Sequence, residues 1–267
     1  MSVVLVTGCS SGFGRAAAIG FARAGHTVVA TMRNLAKAAG LDGEAPNLEV
    51  AQLDVTDPLS RSRAVQEAME QHGQIDVLVN NAGVSVLGPA EEIPDDVARD
   101  LFETNFWGPY ALIREVLPGM TEAGTGRIVN VTSIGALLTP GFYSVYCATK
   151  HALDALTLGL DIELQQFGIR CVTVVPGGYN TAIATNRVDT DRPDSRYRRS
   201  RPAIQAWEER IAPRDDVAPV TAAILEAATA EAPRVRYLVG EGTTEMLVPV
   251  VAEGERIHAA LRARDKV

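Results

Sequence analysis

Short apolar runs rich in β-branched residues recur along the chain: VVLV at 3–6, TVVAT at 27–31, LEVAQLDV at 48–55, IDVLVN at 75–80, GRIVNVT at 126–132, IRCVTVV at 169–175 and VRYLVG at 235–240. Most are apolar nearly throughout rather than alternating, which predicts strands covered on both faces. Longer stretches with helical spacing separate them. The first ends at Gly25, and others run over Arg63–Gly73, Val97–Met120, Tyr143–Phe167 and Val217–Ala230. Strands alternating with helices pair in parallel through right-handed crossovers. The pattern therefore predicts an α/β fold, a doubly wound parallel sheet of about seven strands with helices on both faces.

Composition narrows this picture. With 267 residues, 46% of them hydrophobic, the chain supports one sizeable core, and a single domain over 1–267 is expected. Its formal charge of −8 argues against nucleic-acid binding, which needs a basic face. Neither a signal-peptide pattern nor an apolar run of membrane-spanning length is visible, MLVPVVA at 246–252 being far too short. Cys9, Cys147 and Cys171 are odd in number and widely spaced, unlike a disulfide framework or a metal cluster, so a cytoplasmic setting is expected. His26, His72, His151 and His258 are scattered, and no metal is expected. One segment, 181–214, departs in composition: eight arginines from Arg187 to Arg214 accompany three prolines and five acidic residues. It reads as a solvated, mobile lid, with a phosphate or acidic-substrate site as the alternative.

Two short stretches carry candidate chemistry. VTGCSSGFGR follows the first strand and opens the first helix, placing Gly8, Gly12 and Gly14 where a tight turn and close backbone approach would let a helix N-terminus hold a pyrophosphate. The spacing Gly-x-x-x-Gly-x-Gly differs from the best-known dinucleotide fingerprint and is also compatible with plain turn chemistry. In SVYCATKHALDAL, Tyr146 and Lys150 are four residues apart and share a helix face. A nearby ammonium stabilises phenolate, and Ser133, thirteen residues upstream, can hydrogen-bond a substrate oxygen.

With LDVTD at Asp54, NNAG at 80–83, Asn105 in ETNFWG, Ser133 in NVTS, YCATK, and PGGYNT at 176–181, the chain resembles the short-chain dehydrogenase/reductase family along nearly its whole length. The resemblance implies a Rossmann-like fold with a nucleotide-binding half near 1–120 and a catalytic and substrate part near 121–267. It implies a relay of Asn105, Ser133, Tyr146 and Lys150, in which Tyr146 moves the oxygen-bound proton and Ser133 and Tyr146 meet the substrate. Lys150 would also hold the nicotinamide ribose, and Asn105 would help maintain a water-linked proton path. Cofactor contacts are implied for Gly8, Ser10, Ser11, Gly12, Phe13, Gly14, Arg33, Asp54, Val55, Asn81, Ala82, Gly83, Tyr146, Lys150, Pro176, Gly177 and Thr181. Taken singly, these residues also have local readings: Asp54 as a turn cap, Ser133 as a helix cap, Tyr146 as core and Lys150 as surface.

Cofactor choice is argued from the end of the second strand. Met32 stands where an NAD enzyme carries a carboxylate, and Arg33 beside it can bind a 2′-phosphate with help from Ser11, so NADPH is expected over NADH. The implied reaction is hydride transfer to or from a carbonyl or secondary alcohol, in the reducing direction if NADPH is used. VSVLGP, IGALLTPGFYSV and GYNTAI are rich in apolar side chains and suit a lipophilic small-molecule substrate. Strings such as ATMRN and VYCATKHALDAL resemble the branch of 17β-hydroxysteroid and retinol dehydrogenases. Family resemblance further implies a homodimer or homotetramer paired through the helices at 97–120 and 143–167. A non-catalytic NADP(H) sensor on the same fold is the alternative function, disfavoured by the retained tyrosine and lysine. A Rossmann-like methyltransferase is disfavoured by the same pair.

Overall fold

The computed structural model describes residues 1–181, 183, 187–190, 192, 194–210 and 215–240, with 245, 247, 248, 251, 252, 255, 256 and 259. Arg214 and His258 lie outside the described residues, as does part of the 181–214 segment. Seven strands form one parallel sheet: β1 (Val3–Val6), β2 (Thr27–Met32), β3 (Leu48–Gln52), β4 (Val77–Asn80), β6 (Gly126–Val131), β7 (Ile169–Pro176) and β9 (Arg236–Val239). Their order is β3-β2-β1-β4-β6-β7-β9, with Val4 in register with both Val28 and Val77. The order reverses between β1 and β4, and a crevice opens beyond the strand ends at such a switch point. All seven predicted strands are present. A second sheet not visible in the pattern pairs β5 (Val86–Leu87) with β8 (Val188–Asp189).

Helices cover both faces because the strands are apolar on both. On one face α1 (Gly12–Arg23) and α7 (Ala218–Thr229) bury Phe21, Val220 and Ile224 against Val4, Val172 and Tyr237. On the other, α2 (Pro58–His72) and α4 (Gly108–Ala123) bury Val65, Leu112, Ile113 and Met120 against Leu5, Leu78 and Ile128. Helix α2 begins five residues earlier than the pattern suggested. The Asp57 carboxylate accepts the Leu59 N–H at 3.0 Å, and Pro58 fits the first helical position.

The predicted helix over 97–120 is present as α3 (Asp95–Phe102) and α4, continuous through one π-helical turn at Glu103–Trp107. Helix α5 (Ser144–Glu163) is followed by a 3₁₀ turn at Gln165–Phe167. Polar anchors hold α5 to the sheet: Asp161 takes Arg170 through two bonds, Asp154 takes Arg236 likewise, and Thr157 accepts from Asn130 at 2.8 Å. No helix among the described residues is long and apolar enough to cross a membrane.

Candidate active site

The glycine loop is shaped by close contacts that leave no room for a side chain at Gly8 or Gly14. Gly8 has φ +73°, and a Cβ there would lie 2.8 Å from Ala82 Cα. A Cβ on Gly14 would lie 2.4 Å from Asn81 Nδ2 and 2.5 Å from the Gly8 carbonyl oxygen. Thr7 fastens the loop to the end of β4: its Oγ1 accepts the N–H groups of Asn81 and Ala82, each at 3.0 Å. Asn81 Nδ2 donates back to the Thr7 carbonyl at 2.9 Å. The NNAG segment thus braces the loop as well as flanking the crevice.

The crevice is a cleft of about 460 Å³, and it gathers most of the predicted residues. Gly8, Ser10, Ser11, Gly12, Phe13, Arg33, Asp54 and Val55 line one end, while Asn81, Ala82, Gly83, Ser133, Tyr146, Lys150, Pro176, Gly177 and Thr181 line the remainder. Gly14 and Asn105 are set behind the lining rather than on it. Asp54 reconciles its two readings: it faces the cleft while its Oδ1 accepts the N–H and hydroxyl of Thr56 at 3.0 and 2.7 Å. A glycine loop whose backbone can approach a ligand closely, opening a helix at the switch point, fits a dinucleotide pyrophosphate.

Lys37 is a cleft residue that sequence reasoning missed. It ends a 3₁₀ turn, Leu35–Lys37, whose following carbonyls are gripped by Arg15: Nη1 donates to Ala38 at 2.8 Å and Nη2 to Ala39 at 3.1 Å. Neither Arg33 nor Lys37 has a carboxylate partner among the described residues. Tyr179 and Ile183, from the substrate-side GYNTAI stretch, line the cleft, and Tyr179 packs edge-on to Phe13 at 5.3 Å, bridging the loop after β7 to α1.

At the chemical end, Ser133 follows β6 and accepts the Gly135 N–H at 3.1 Å. Gly135 lets Ser133 and Tyr146 approach, since a Cβ there would lie 3.2 Å from Tyr146 Cε1 and 3.5 Å from Ser133 Oγ. Lys150 is 3% exposed, which excludes a surface role, and its Nζ donates to the Val131 carbonyl at 3.2 Å. The expected lowering of the Tyr146 pKa is corrected here. Burial pushes the phenol up to about 12, opposed by a hydrogen bond with Ser133. Burial likewise pushes Lys150 down to about 8. Desolvation disfavours the charged form of each and outweighs the influence expected between them.

The side chain of Asn105 is fully buried and engaged. Its Oδ1 accepts the Val84 N–H at 2.9 Å, and its Nδ2 donates to the Val84 carbonyl at 2.9 Å and to Thr149 Oγ1 at 3.1 Å. Thr149 in turn donates to the Tyr146 carbonyl at 2.7 Å. Asn105 therefore braces the cleft wall to the start of α5 through its side chain. The π turn provides this placement, as such turns often do at functional sites.

The described residues of the 181–214 segment, expected as a lid, are tied by ion pairs and hydrogen bonds. Arg187 pairs with Glu208, Arg192 with Asp194 and Arg201 with Asp189, while Arg196 and Tyr197 both bind Glu91. The first three pairs tie the segment to itself, while strand β8 and the bonds to Glu91 fasten it to the body. Beneath it lies a second cavity of about 530 Å³, walled by Phe142, Tyr197 and Ile204. No group of three or more potential metal ligands occurs among the described residues.

A glycine loop at a sheet switch point, with serine, tyrosine and lysine gathered along the same cleft, is the arrangement that the sequence resemblance implied. The chain belongs to the short chain dehydrogenase family, which it matches over residues 2–192. Its relatives include bovine (Bos taurus) retinol dehydrogenase 8, 41% identical over 65% of this chain and 58% of that protein. Human (Homo sapiens) 17-beta-hydroxysteroid dehydrogenase type 1 is 33% identical over 94% of this chain and 80% of that one. The matched region thus covers less than two thirds of the retinol dehydrogenase's own length. Among solved structures, a short-chain dehydrogenase from Streptomyces avermitilis is similar with a TM-score of 0.82 at 34% identity, covering 100% of this chain and 98% of that one. A 3-ketoacyl-(acyl-carrier-protein) reductase from Brucella melitensis complexed with NADH has a TM-score of 0.78 at 26% identity, over 91% and 98%.

Proposed function

We propose that the protein is an NADP(H)-dependent oxidoreductase that moves a hydride between the nicotinamide and a carbonyl or secondary alcohol carbon, chiefly reducing a lipophilic ketone. The observation that carries this reading is the convergence of Ser133, Tyr146 and Lys150 on the cleft that begins at the glycine loop. The bound cofactor supplies the hydride. Tyr146, kept protonated by burial, supplies the proton to the carbonyl oxygen. Ser133, which accepts the Gly135 N–H and is hydrogen-bonded to Tyr146, can turn its O–H to that oxygen as negative charge builds. Lys150 gives one N–H to Val131 and retains others for the ribose side, where a Cβ on Gly83 would lie 3.5 Å from Nζ.

Preference for NADPH is supported by Met32 in place of a carboxylate and by two cations, Arg33 and Lys37, that have no ion-pair partner among the described residues at that end of the cleft. The lipophilic substrate is supported by Val84, Tyr179 and Ile183 on the cleft wall. Pairing into a homodimer or homotetramer through α4 and α5 belongs to the same reading, and mass measurement in solution tests it.

The function is tested by NADPH oxidation against a panel of ketones, aldehydes and quinones, repeated with NADH. Comparable efficiency with NADH defeats the cofactor preference. Tyr146→Phe is expected to lower kcat by about 10²- to 10⁴-fold while keeping NADPH binding, and a fully active variant removes Tyr146 from its role. Tight NADPH binding without turnover across the panel would favour the sensor instead.

A further inference from the structure

The chemical end is flanked by a cluster that the mechanism above does not use. Helix α6 (Arg201–Arg210) brings Trp207 and Glu208 to Tyr143, the residue immediately before α5. Tyr143 donates its phenol proton to Glu208 Oε1 at 2.5 Å. Arg187 Nη1 donates to both acceptors, reaching Tyr143 Oη at 2.7 Å and Glu208 Oε1 at 2.6 Å. The Tyr143 ring lies 6.3 Å from that of Tyr146 in an edge arrangement and 5.9 Å from that of Trp207. An aromatic row thus runs from the lid to the proton donor, and a charge-assisted triad fixes its middle member.

Two further observations mark this junction. Phe142, one residue earlier, has φ +67°, a left-handed conformation that a bulky side chain adopts only when its surroundings impose it. They do so here: the Phe142 carbonyl accepts the Gly88 N–H at 2.9 Å, and its ring is buried with Leu87 and Ile204. Secondly, burial and then the bond to Glu208 raise the Tyr143 pKa well above the tyrosine range, so its O–H remains a donor at any working pH.

We propose that Tyr143 is a positioning residue for Tyr146, and that the Arg187–Glu208 pair is the latch through which the lid sets it. With α6 docked, the Tyr143 ring is held against Tyr146 and restrains it in the orientation that reaches the substrate oxygen. With α6 released, the row loses its fixed middle member and the phenol samples orientations that transfer its proton less well. Lid docking and proton donation are then one coupled event. This rests on Tyr146 being the proton donor.

The test is steady-state kinetics with NADPH and the best ketone of the panel. Tyr143→Phe keeps the ring but removes the latch hydrogen bond, and Glu208→Gln removes the ion pair. Each is expected to lower kcat about five- to twentyfold with NADPH Kd changed by less than about twofold. The double variant is expected to be no worse than the more damaged single, because the groups act as one unit. Arg187→Lys, keeping the charge, recovers part of what Arg187→Met loses. The solvent deuterium isotope effect on kcat should rise in the latch variants, which a mere loss of active protein cannot produce. The chain has two tryptophans, so a Trp107→Phe background leaves Trp207 as a lid reporter, and its acrylamide quenching should increase in both variants. Wild-type kcat in both, losses that multiply in the double variant, an unchanged isotope effect or unchanged quenching overturns the latch. Activity in Tyr146→Phe overturns the underlying reading, whereas an inactive Tyr146→Phe beside fully active latch variants overturns the latch alone.

Discussion

At the nucleotide end of the cleft, Arg33 and Lys37 stand beside serines and backbone amides with no carboxylate partner among the described residues. In the lid, Arg187, Arg192, Arg196 and Arg201 each meet an acid, and three of these acids, Glu208, Asp194 and Asp189, come from the lid itself. Both regions look basic in sequence, yet their electrostatics differ. A compensated arginine organises chain, whereas an uncompensated one beside a concave, donor-lined wall attracts an anion. Lys150 is a third case, buried and without an acid partner among the described residues, and its burial depresses its pKa.

The largest effect is expected where the nucleotide end is made of backbone. Gly14→Ala forces a methyl into Asn81 and the Gly8 carbonyl. It should destabilise the chain by about 1–3 kcal/mol and weaken NADPH binding about a hundredfold, read by thermal melting and cofactor titration. Next comes the buried cation. The Lys150 ammonium is present below its pKa of about 8 and lost above it, while Tyr146 stays protonated to about 12. Ketone reduction should therefore decline by roughly tenfold per pH unit once pH is well above 8, as a pH–rate profile would show. A profile flat through pH 10 would break the assignment.

Smaller effects separate the two arginine groups directly. Arg33→Ala should weaken NADPH about tenfold and leave NADH unchanged, with Lys37→Gln costing about threefold in the same sense. Arg196→Gln, in an exposed lid pair, should change neither cofactor's affinity. A loss of NADPH affinity in that variant would erase the contrast between the regions.

The strands were legible because burial on both faces writes itself into contiguous apolar runs, and the glycine loop and Tyr146–Lys150 pair because their spacing is local. What was hidden depends on distant partners. Arg196 and Tyr197 find Glu91, more than a hundred residues away, so composition alone suggested a loose loop. Lys37 faces the cleft because Arg15 grips the carbonyls after it, a contact no periodicity signals. The segment 97–120 has one continuous helical pattern, and nothing in its apolar positions marks the π turn. Likewise, helix spacing brought Lys150 and Tyr146 together but said nothing of how far burial would shift each of them.

That π turn has a consequence for how this stretch tolerates change. A π turn holds one residue more than an α turn, so it shifts the angular phase of everything before it relative to α4 by about 100°. Deleting a single residue within Glu103–Trp107 would restore regular helical bonding and improve the local geometry. It would also rotate Leu101 out of its packing with Val86 and Ile93 and withdraw the Asn105 amide from Val84. The chain keeps a locally poorer helix because only that phase lets one helix face the core at both ends while an amide faces the wall of the cleft. Length variation is therefore expected to be rejected here even where substitution of the exposed Trp107 is accepted.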